Sequence, residues 1–203
     1  MKKHSKYAVA FLAVALAPFV VQAQEFSADV VTHDQSGKTI RGKGYRGATM
    51  VRAESATPGA GANGSTFVIV DTAKQLAYTI VPTQKMIMVV HGLAALNKAG
   101  ILLPVNENPC TPIRGGPAPA GTSCKKLGEE TVDGRHTTKW EITEMINGQA
   151  GTQLVWVDGN LHSIVKMQYG PSIIELQNIQ EGPQSPSLFV VPADYRQMDV
   201  GGR

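Results

Sequence analysis

Two cysteines carry the most definite chemistry in this sequence. Cys110 and Cys124 flank a stretch rich in proline and glycine that has no capacity for regular structure. A redox pair is typically C-x-x-C, and the spacing here is much longer. In an oxidising compartment two such cysteines form a disulfide, and closing a loop of roughly 15 residues contributes about 3 kcal/mol in the chain-entropy model. We therefore expect a Cys110–Cys124 disulfide that staples a loop around residues 103–124.

The histidines and glycine-rich motifs give no support for a metal or nucleotide site. None of the histidines after residue 23 is paired with a second ligand at the spacing of a zinc site. These histidines are His33, His91, His136 and His162. Residues 42–47 match G-x-G-x-x-G, but residues 48–52 keep β character instead of opening the helix that a dinucleotide loop requires. We expect no metal and no cofactor, and we interpret the histidines as surface strand residues.

The sequence contains no recognisable catalytic motif. Neither G-x-S-x-G nor S-x-x-K with its companion motifs is present. Close carboxylates occur at Glu129 and Glu130 and at Glu141 and Glu144, and paired carboxylates are the machinery of glycosidases. These residues lie on or beside predicted strands, where the alternation of apolar and polar residues directs the carboxylates towards solvent. We predict that the protein is not an enzyme. An exported hydrolase is the least favoured of three hypotheses about its function.

A set of aromatic and methionine side chains lies on the predicted strands. Its members are Tyr78, Met86, Met88, Trp140, Trp156, Met167 and Tyr169. Such residues line pockets for apolar ligands, and they equally form the ordinary core of a β protein. The pattern alone favours the core, and ligand binding by this set is a hypothesis.

The N-terminus has the pattern of a cleavable secretory leader. Lys2, Lys3 and Lys6 give a positive n-region, an apolar run follows, and Val21-Gln22-Ala23 supplies the small residues of a cleavage site. We expect a signal peptide over 1–23, one domain over 24–203 and a periplasmic location, with secretion as the alternative. The apolar run is shorter than the ~20 residues that span a bilayer, so no stable transmembrane anchor is expected.

The net charge of +3 belongs to this leader. The whole chain has 19 Lys and Arg against 16 Asp and Glu, and the leader holds three lysines and no acid. The remaining chain is formally neutral. Because no positive field attracts polyanions, nucleic-acid binding loses its main support.

The segments after the leader alternate with period two and are separated by turn residues, which is typical of an antiparallel all-β chain. Asp133-Gly134 predicts a tight hairpin, and residues 158–160 predict a second one leading into a strand that begins at Leu161. The pattern predicts about eleven strands and one short helix over residues 92–100.

Several stretches in the C-terminal third carry a resemblance to a known family. They are residues 126–135, 139–140, 155–158, 179–183 and 188–195. These stretches resemble exported LolA-like proteins of the lipoprotein carrier superfamily. The resemblance implies a strongly curved, roughly eleven-stranded antiparallel sheet, an incomplete β-barrel whose concave side holds acyl chains in the carriers. The carriers' helical lids are mostly missing here, and one short helix and the stapled loop stand in their place.

Two hypotheses about function follow. The first is a non-enzymatic periplasmic binding or carrier module for an apolar ligand, with a lipid or a lipoprotein acyl chain as the leading candidate. The second is a structural envelope protein that binds another envelope protein or a lipoprotein through an exposed face or through residues 103–123.

Overall fold

The structure is a computed structural model that describes residues 24–55, 65–111, 121–146 and 149–200. The predicted leader lies outside the described residues, as does most of the loop between the two cysteines. No helix in the described part of the chain is long and apolar enough to cross a membrane.

One sheet of twelve strands contains most of the described residues. The strands are β1 (Phe26–His33), β2 (Thr39–Arg46), β3 (Met50–Ser55), β4 (Phe67–Asp71), β5 (Leu76–Val81), β6 (Met86–His91), β7 (Ser123–Val132), β8 (Arg135–Ile146), β9 (Gln149–Asp158), β10 (Ser163–Tyr169), β11 (Ser172–Glu181) and β12 (Arg196–Asp199). Their order in space is β12-β6-β5-β4-β3-β2-β1-β11-β10-β9-β8-β7. The sheet is curved and unclosed, and all of its neighbouring pairs are antiparallel except β6 and β12. The predicted fold class is confirmed.

The parallel strand β12 is the main departure from the predicted strand pattern. It has only four residues and returns from the C-terminus to pair with β6. The predicted helix is also shorter, since α1 spans Leu93–Asn97 and a 3-10 helix follows at Gly100–Leu102. The strand predicted from Leu161 begins at Ser163, because His162 adopts φ 49° and completes the turn.

The β7–β8 hairpin forms as predicted. Asp133 has φ 47° and Gly134 has φ 75°, so both central residues adopt the left-handed conformation of a type I′ turn. Register shifts mark bulges in β11 opposite Ser27 to Asp29, in β7 between Lys126 and Gly128, and in β10 between Ile164 and Lys166. Bulges of this kind bend a strand and increase its twist, which suits a strongly curved sheet.

Residues 92–111, here called the strap, cross one face of this sheet. Helix α1 contacts β5 and β6, the 3-10 helix contacts β2 and β10, and Cys110 forms a disulfide with Cys124 on β7. The predicted disulfide is therefore present. Because one short segment contacts strands from both ends of the sheet, the sheet curves around it, and the covered face is the concave one.

The main core lies between the strap and the concave face. Phe26, Val51, Val155 and Leu176 from the sheet and Leu102 from the strap are all buried there. A smaller core covers the convex face of β4 to β6. Its buried residues are Ile69, Ile80, Ile87 and Val89, and Val191 and Tyr195 of the C-terminal segment pack against them. Since side chains alternate along a strand, β4 contributes to both cores, which explains its continuous apolar run.

Candidate functional site

An open cavity of about 420 Å³ lies over β1 to β4, and we call it the concave groove. Its lining residues are Val30, Thr32, Ile40, Arg41, Gly42, Ala53, Glu54, Thr66 and Val68. The strand register places Val30 opposite Gly42 and Ala53 opposite Val68. This volume falls in the range of about 300–1,000 Å³ that is usual for small-molecule sites.

The groove is open because its floor is made of small residues. Gly42 and Ala53 contribute almost no side-chain volume at positions where the opposite half of the sheet carries large side chains. Across β8 to β10 the register aligns Trp140, Val155 and Met167 on one face, and all three belong to the main core or pack against it. Side-chain size thus decides which half of the concave face is filled.

The strap borders the groove at Gly44. A Cβ atom on Gly44 would lie 2.8 Å from Leu102 Cδ2 and 3.0 Å from Val30 Cγ2, which is closer than packed carbon atoms approach. Leu102 is only 1% exposed. The absence of a side chain at Gly44 therefore lets the strap lie directly against β2, beside the groove residue Val30.

Arg46 fixes the turn on which the strap rests. This fully buried side chain donates from Nη1 to the carbonyl oxygen of His162 at 3.1 Å, from Nε to that of Gln24 at 3.1 Å, and from Nη2 to that of Leu161. Burial lowers the pKa of the guanidinium to about 10, and the Asp158 carboxylate opposes that shift. Arg46 therefore stays protonated at neutral pH and ties the start of the described chain to the β9–β10 turn.

The structure does not gather the seven predicted aromatic and methionine residues into one pocket. Trp140 and Met167 pack against the main core on the concave face, whereas Tyr78 packs against the smaller convex core. Met86 and Met88 are half-buried on β6, close to the other end of the sheet order.

Trp156 and Tyr169 complete this set. Trp156 is buried, at 3% exposed, and belongs to the main core. On the convex side its indole N–H donates to Glu130 Oε2 at 2.7 Å, and the ammonium groups of Lys139 and Lys166 lie 4.8 Å and 5.1 Å from the ring centroid. Tyr169 is 48% exposed at the end of β10. None of the seven residues lines the concave groove. Sequence reasoning missed the groove because glycine, alanine and threonine carry no recognisable pocket pattern.

A second, polar cavity of about 350 Å³ lies at the concave side of β7 to β9. Trp140 contributes to its lining together with Lys126, Glu129 and His136. Glu129 pairs with Lys126 Nζ at 3.3 Å and with His136 Nε2 at 3.2 Å. The hydrogen bond and charge of Lys126 hold the pKa of Glu129 below its usual value. Glu129 is thus paired with two other side chains of this cavity.

Of the carboxylate pairs considered for glycoside hydrolysis, Glu129 and Glu130 do not meet. Glu129 pairs with Lys126 and His136, whereas Glu130 accepts from Lys139 and Trp156 on the opposite face. Within 24–55, 65–111, 121–146 and 149–200, no group of three or more His, Cys, Asp or Glu side chains could hold a metal ion.

Comparison with known proteins shows likeness in structure only. No family model matches the chain, and no curated protein matches it. A solved structure of an uncharacterized conserved protein from Thermus thermophilus shares 9% identity with a TM-score of 0.55, covering 88% of this chain and 91% of that one. MucB, solved in complex with MucA(peri), shares 12% identity with a TM-score of 0.51, covering 88% of this chain and 58% of that one.

A LolA superfamily protein, NE2245 from Nitrosomonas europaea, also matches, at 9% identity and a TM-score of 0.36, covering 85% of this chain and 92% of that one. The curved, unclosed antiparallel sheet that the resemblance implies is present in this structure, and a segment crosses its concave face. At these identities the likenesses show the fold alone.

Proposed function

We propose that this protein is a non-enzymatic binding or carrier module that holds an apolar ligand in the concave groove, with a lipid or a lipoprotein acyl chain as the leading candidate. The observation that carries the proposal is the groove itself: an open cavity of about 420 Å³ with Val30, Ile40, Ala53 and Val68 in its lining. A single alkyl chain matches a site whose exposed lining surface is more apolar than polar and whose floor has little side-chain volume.

The proposed location is the periplasm. The leader predicted over residues 1–23 supports export, and the Cys110–Cys124 disulfide fits an oxidising compartment. Outside the cytoplasm an insoluble acyl chain needs a protein surface to shield it from water. A groove of this kind supplies that surface without any catalytic group.

The size of the groove predicts how affinity depends on the length of the ligand's alkyl chain. Each methylene group removed from water contributes about 0.8 kcal/mol, which corresponds to about a fourfold gain in affinity. Affinity for straight-chain fatty acids should rise by this factor per methylene until the groove is filled and then level off. Displacement of an environment-sensitive acyl probe by acids of increasing length measures the slope and the length at which it ends.

A native ligand is sought by gentle purification, followed by mass spectrometry of organic extracts. We expect a co-purifying lipid in these extracts. Absence of any such lipid, together with no binding of the acyl probe, would contradict the proposal.

A pair of variants tests the position of the ligand. Ala53→Phe places an aromatic ring in the groove, so we expect at least about a tenfold loss of probe affinity, since a blocked pocket loses the burial of several methylenes. Val190→Phe adds bulk at a residue that is 63% exposed and outside the groove lining, so probe binding should not change. Equal affinities for both variants would place the ligand elsewhere.

A second candidate function is the binding of a protein partner in the cell envelope. The observation that favours it is the fold likeness to MucB, a protein solved in complex with MucA(peri). Pull-downs from envelope extract should then differ between the native chain and a variant whose residues 112–120 are replaced by a Gly-Ser linker of equal length. Unchanged partners would count against this loop as the docking segment.

A further inference from the structure

Strand β7 forms one end of the sheet order and has no neighbouring strand on its outer side within the described residues. It is ten residues long, and all of these residues except Val132 are exposed or half-buried. The outer backbone N–H and C=O groups of an edge strand form a template for another strand. The opposite edge of the sheet, β12, has only four residues. The longer free edge therefore lies at β7.

The charges of β7 are arranged symmetrically about its middle. Lys125 and Lys126 precede Leu127-Gly128, and Glu129 and Glu130 follow it. When a second β7 runs antiparallel with its centre at the same point, every lysine lies opposite a glutamate. In a parallel, in-register pair, lysine would lie opposite lysine and glutamate opposite glutamate, which is destabilising.

The bulge in β7 places each of these opposed charges on the same face of the sheet. In a regular strand, Lys126 and Glu129 would project from opposite faces because side chains alternate. The register shift between Lys126 and Gly128 brings both to the concave face, where their side chains meet at 3.3 Å. By the same shift, Lys125 and Glu130 share the convex face, where Glu130 accepts from Lys139 at 2.7 Å.

We propose that β7 pairs antiparallel with β7 of a second copy of this chain, around a two-fold axis that passes between Leu127 and Gly128 perpendicular to the sheet. Lys125 then lies opposite Glu130 of the second copy, and Lys126 lies opposite Glu129 of the second copy. Symmetry repeats both pairs, as in any isologous dimer. Because the axis is perpendicular to the sheet, the concave faces of both copies lie on the same side. The bulge allows this arrangement, since it places Lys126 and Glu129 on the same face of each copy.

Leu127 supplies the apolar centre of this interface. Its side chain is 43% exposed beside the two-fold axis, where it lies opposite Gly128 of the second copy and diagonal to the Leu127 of that copy. An exposed leucine flanked by two pairs of complementary charges is a self-complementary patch. This dimer leaves the concave groove open, so it is independent of the function proposed above.

Sedimentation velocity of the purified protein over a range of concentrations tests the dimer. We expect a species of twice the chain mass. Its dissociation constant should increase as salt is raised, because exposed ion pairs are screened. An acidic variant carries Lys125→Glu with Lys126→Glu, and a basic variant carries Glu129→Lys with Glu130→Lys. Each alone creates four opposed pairs of like charges in the dimer, so we expect dimerisation to weaken by more than about tenfold.

Mixing the two variants is the decisive step. The acidic β7 of one now faces the basic β7 of the other, so a heterodimer should form where neither variant dimerises alone. The control matched to the acidic variant, Lys38→Glu with Lys98→Glu, lowers the net charge by the same amount at exposed residues outside β7 and should leave the dimer intact. Circular dichroism confirms that each variant is folded.

Glu130 also accepts from Trp156, so a second pair of variants avoids it. Lys126→Glu and Glu129→Lys should each weaken the dimer alone and restore it when mixed. A native protein that stays monomeric at every concentration and salt, variants that dimerise as the native chain does, or mixtures that remain monomeric would each overturn the proposal.

Discussion

The two halves of the concave face are both built from antiparallel strands, but one half is filled by side chains and the other is open. Across β8 to β10, Trp140, Val155 and Met167 fill the space beneath the strap. Across β1 to β4, Gly42 and Ala53 leave a cavity of about 420 Å³. The backbone pairing is antiparallel in both halves, so the difference lies in side-chain volume and in where the strap crosses. One half therefore forms packed core, and the other leaves an open groove.

The largest expected effect is at Leu102, the strap residue that is buried in the main core. Leu102→Ala should lower the free energy of unfolding by about 2–5 kcal/mol, because it leaves a cavity in a packed core. Val68→Ala in the groove removes a half-buried side chain and should cost less than about 1.5 kcal/mol. Urea denaturation of both variants measures the difference. Equal losses would show that the groove is as tightly packed as the core.

The next effect is at the disulfide that ties the strap to β7. Replacing both Cys110 and Cys124 by serine should lower the free energy of unfolding by about 3 kcal/mol, because the unfolded chain is no longer cross-linked. Hydrogen exchange should increase at residues 101–111 more than in β2, since only the strap loses its attachment. A uniform increase over the whole chain would show that the strap and the groove strands open together.

A smaller effect is expected where the two halves meet, at Gly44. Gly44→Ala should cost about 1–3 kcal/mol, because its methyl group overlaps Leu102. In a Leu102→Ala background the same change should cost at least about 1 kcal/mol less, since contacting residues are energetically coupled. Denaturation of the four proteins in this cycle gives the coupling energy. Purely additive costs would mean that the strap does not rest on β2 in solution.

The smallest expected effect concerns acid stability at Glu130, outside both halves. Lys139 and the Trp156 indole hold the pKa of Glu130 below its ordinary 4.5. The folded pKa is depressed, so the stabilisation is present above about pH 4.5 and is lost as the pH falls through the folded value. Glu130→Gln should flatten the fall of the urea midpoint below this pH, without changing probe binding in the groove. An unchanged acid slope would show that these contacts are too exposed to matter.

The fold was predictable where local chemistry decides it. Asp133-Gly134 adopts the turn that its residue types favour, and the cysteines form the expected bridge. Strand β12 was not predictable, because four residues carry too short a pattern and its partner β6 lies far away in the sequence. The seven large residues proposed for the site were chosen by type, and the structure distributes them between two faces and the sheet's ends.

The amino-acid sequence alone decided the class of fold and its local turns, because alternation of apolar residues and turn dipeptides act over a few residues at a time. It also placed the charges of β7 in a symmetric order. Only the tertiary structure decided which small residues share one face, where the strap rests and which half of the concave face stays open. A cavity is a volume left between distant segments, so it becomes visible only when those segments are packed together.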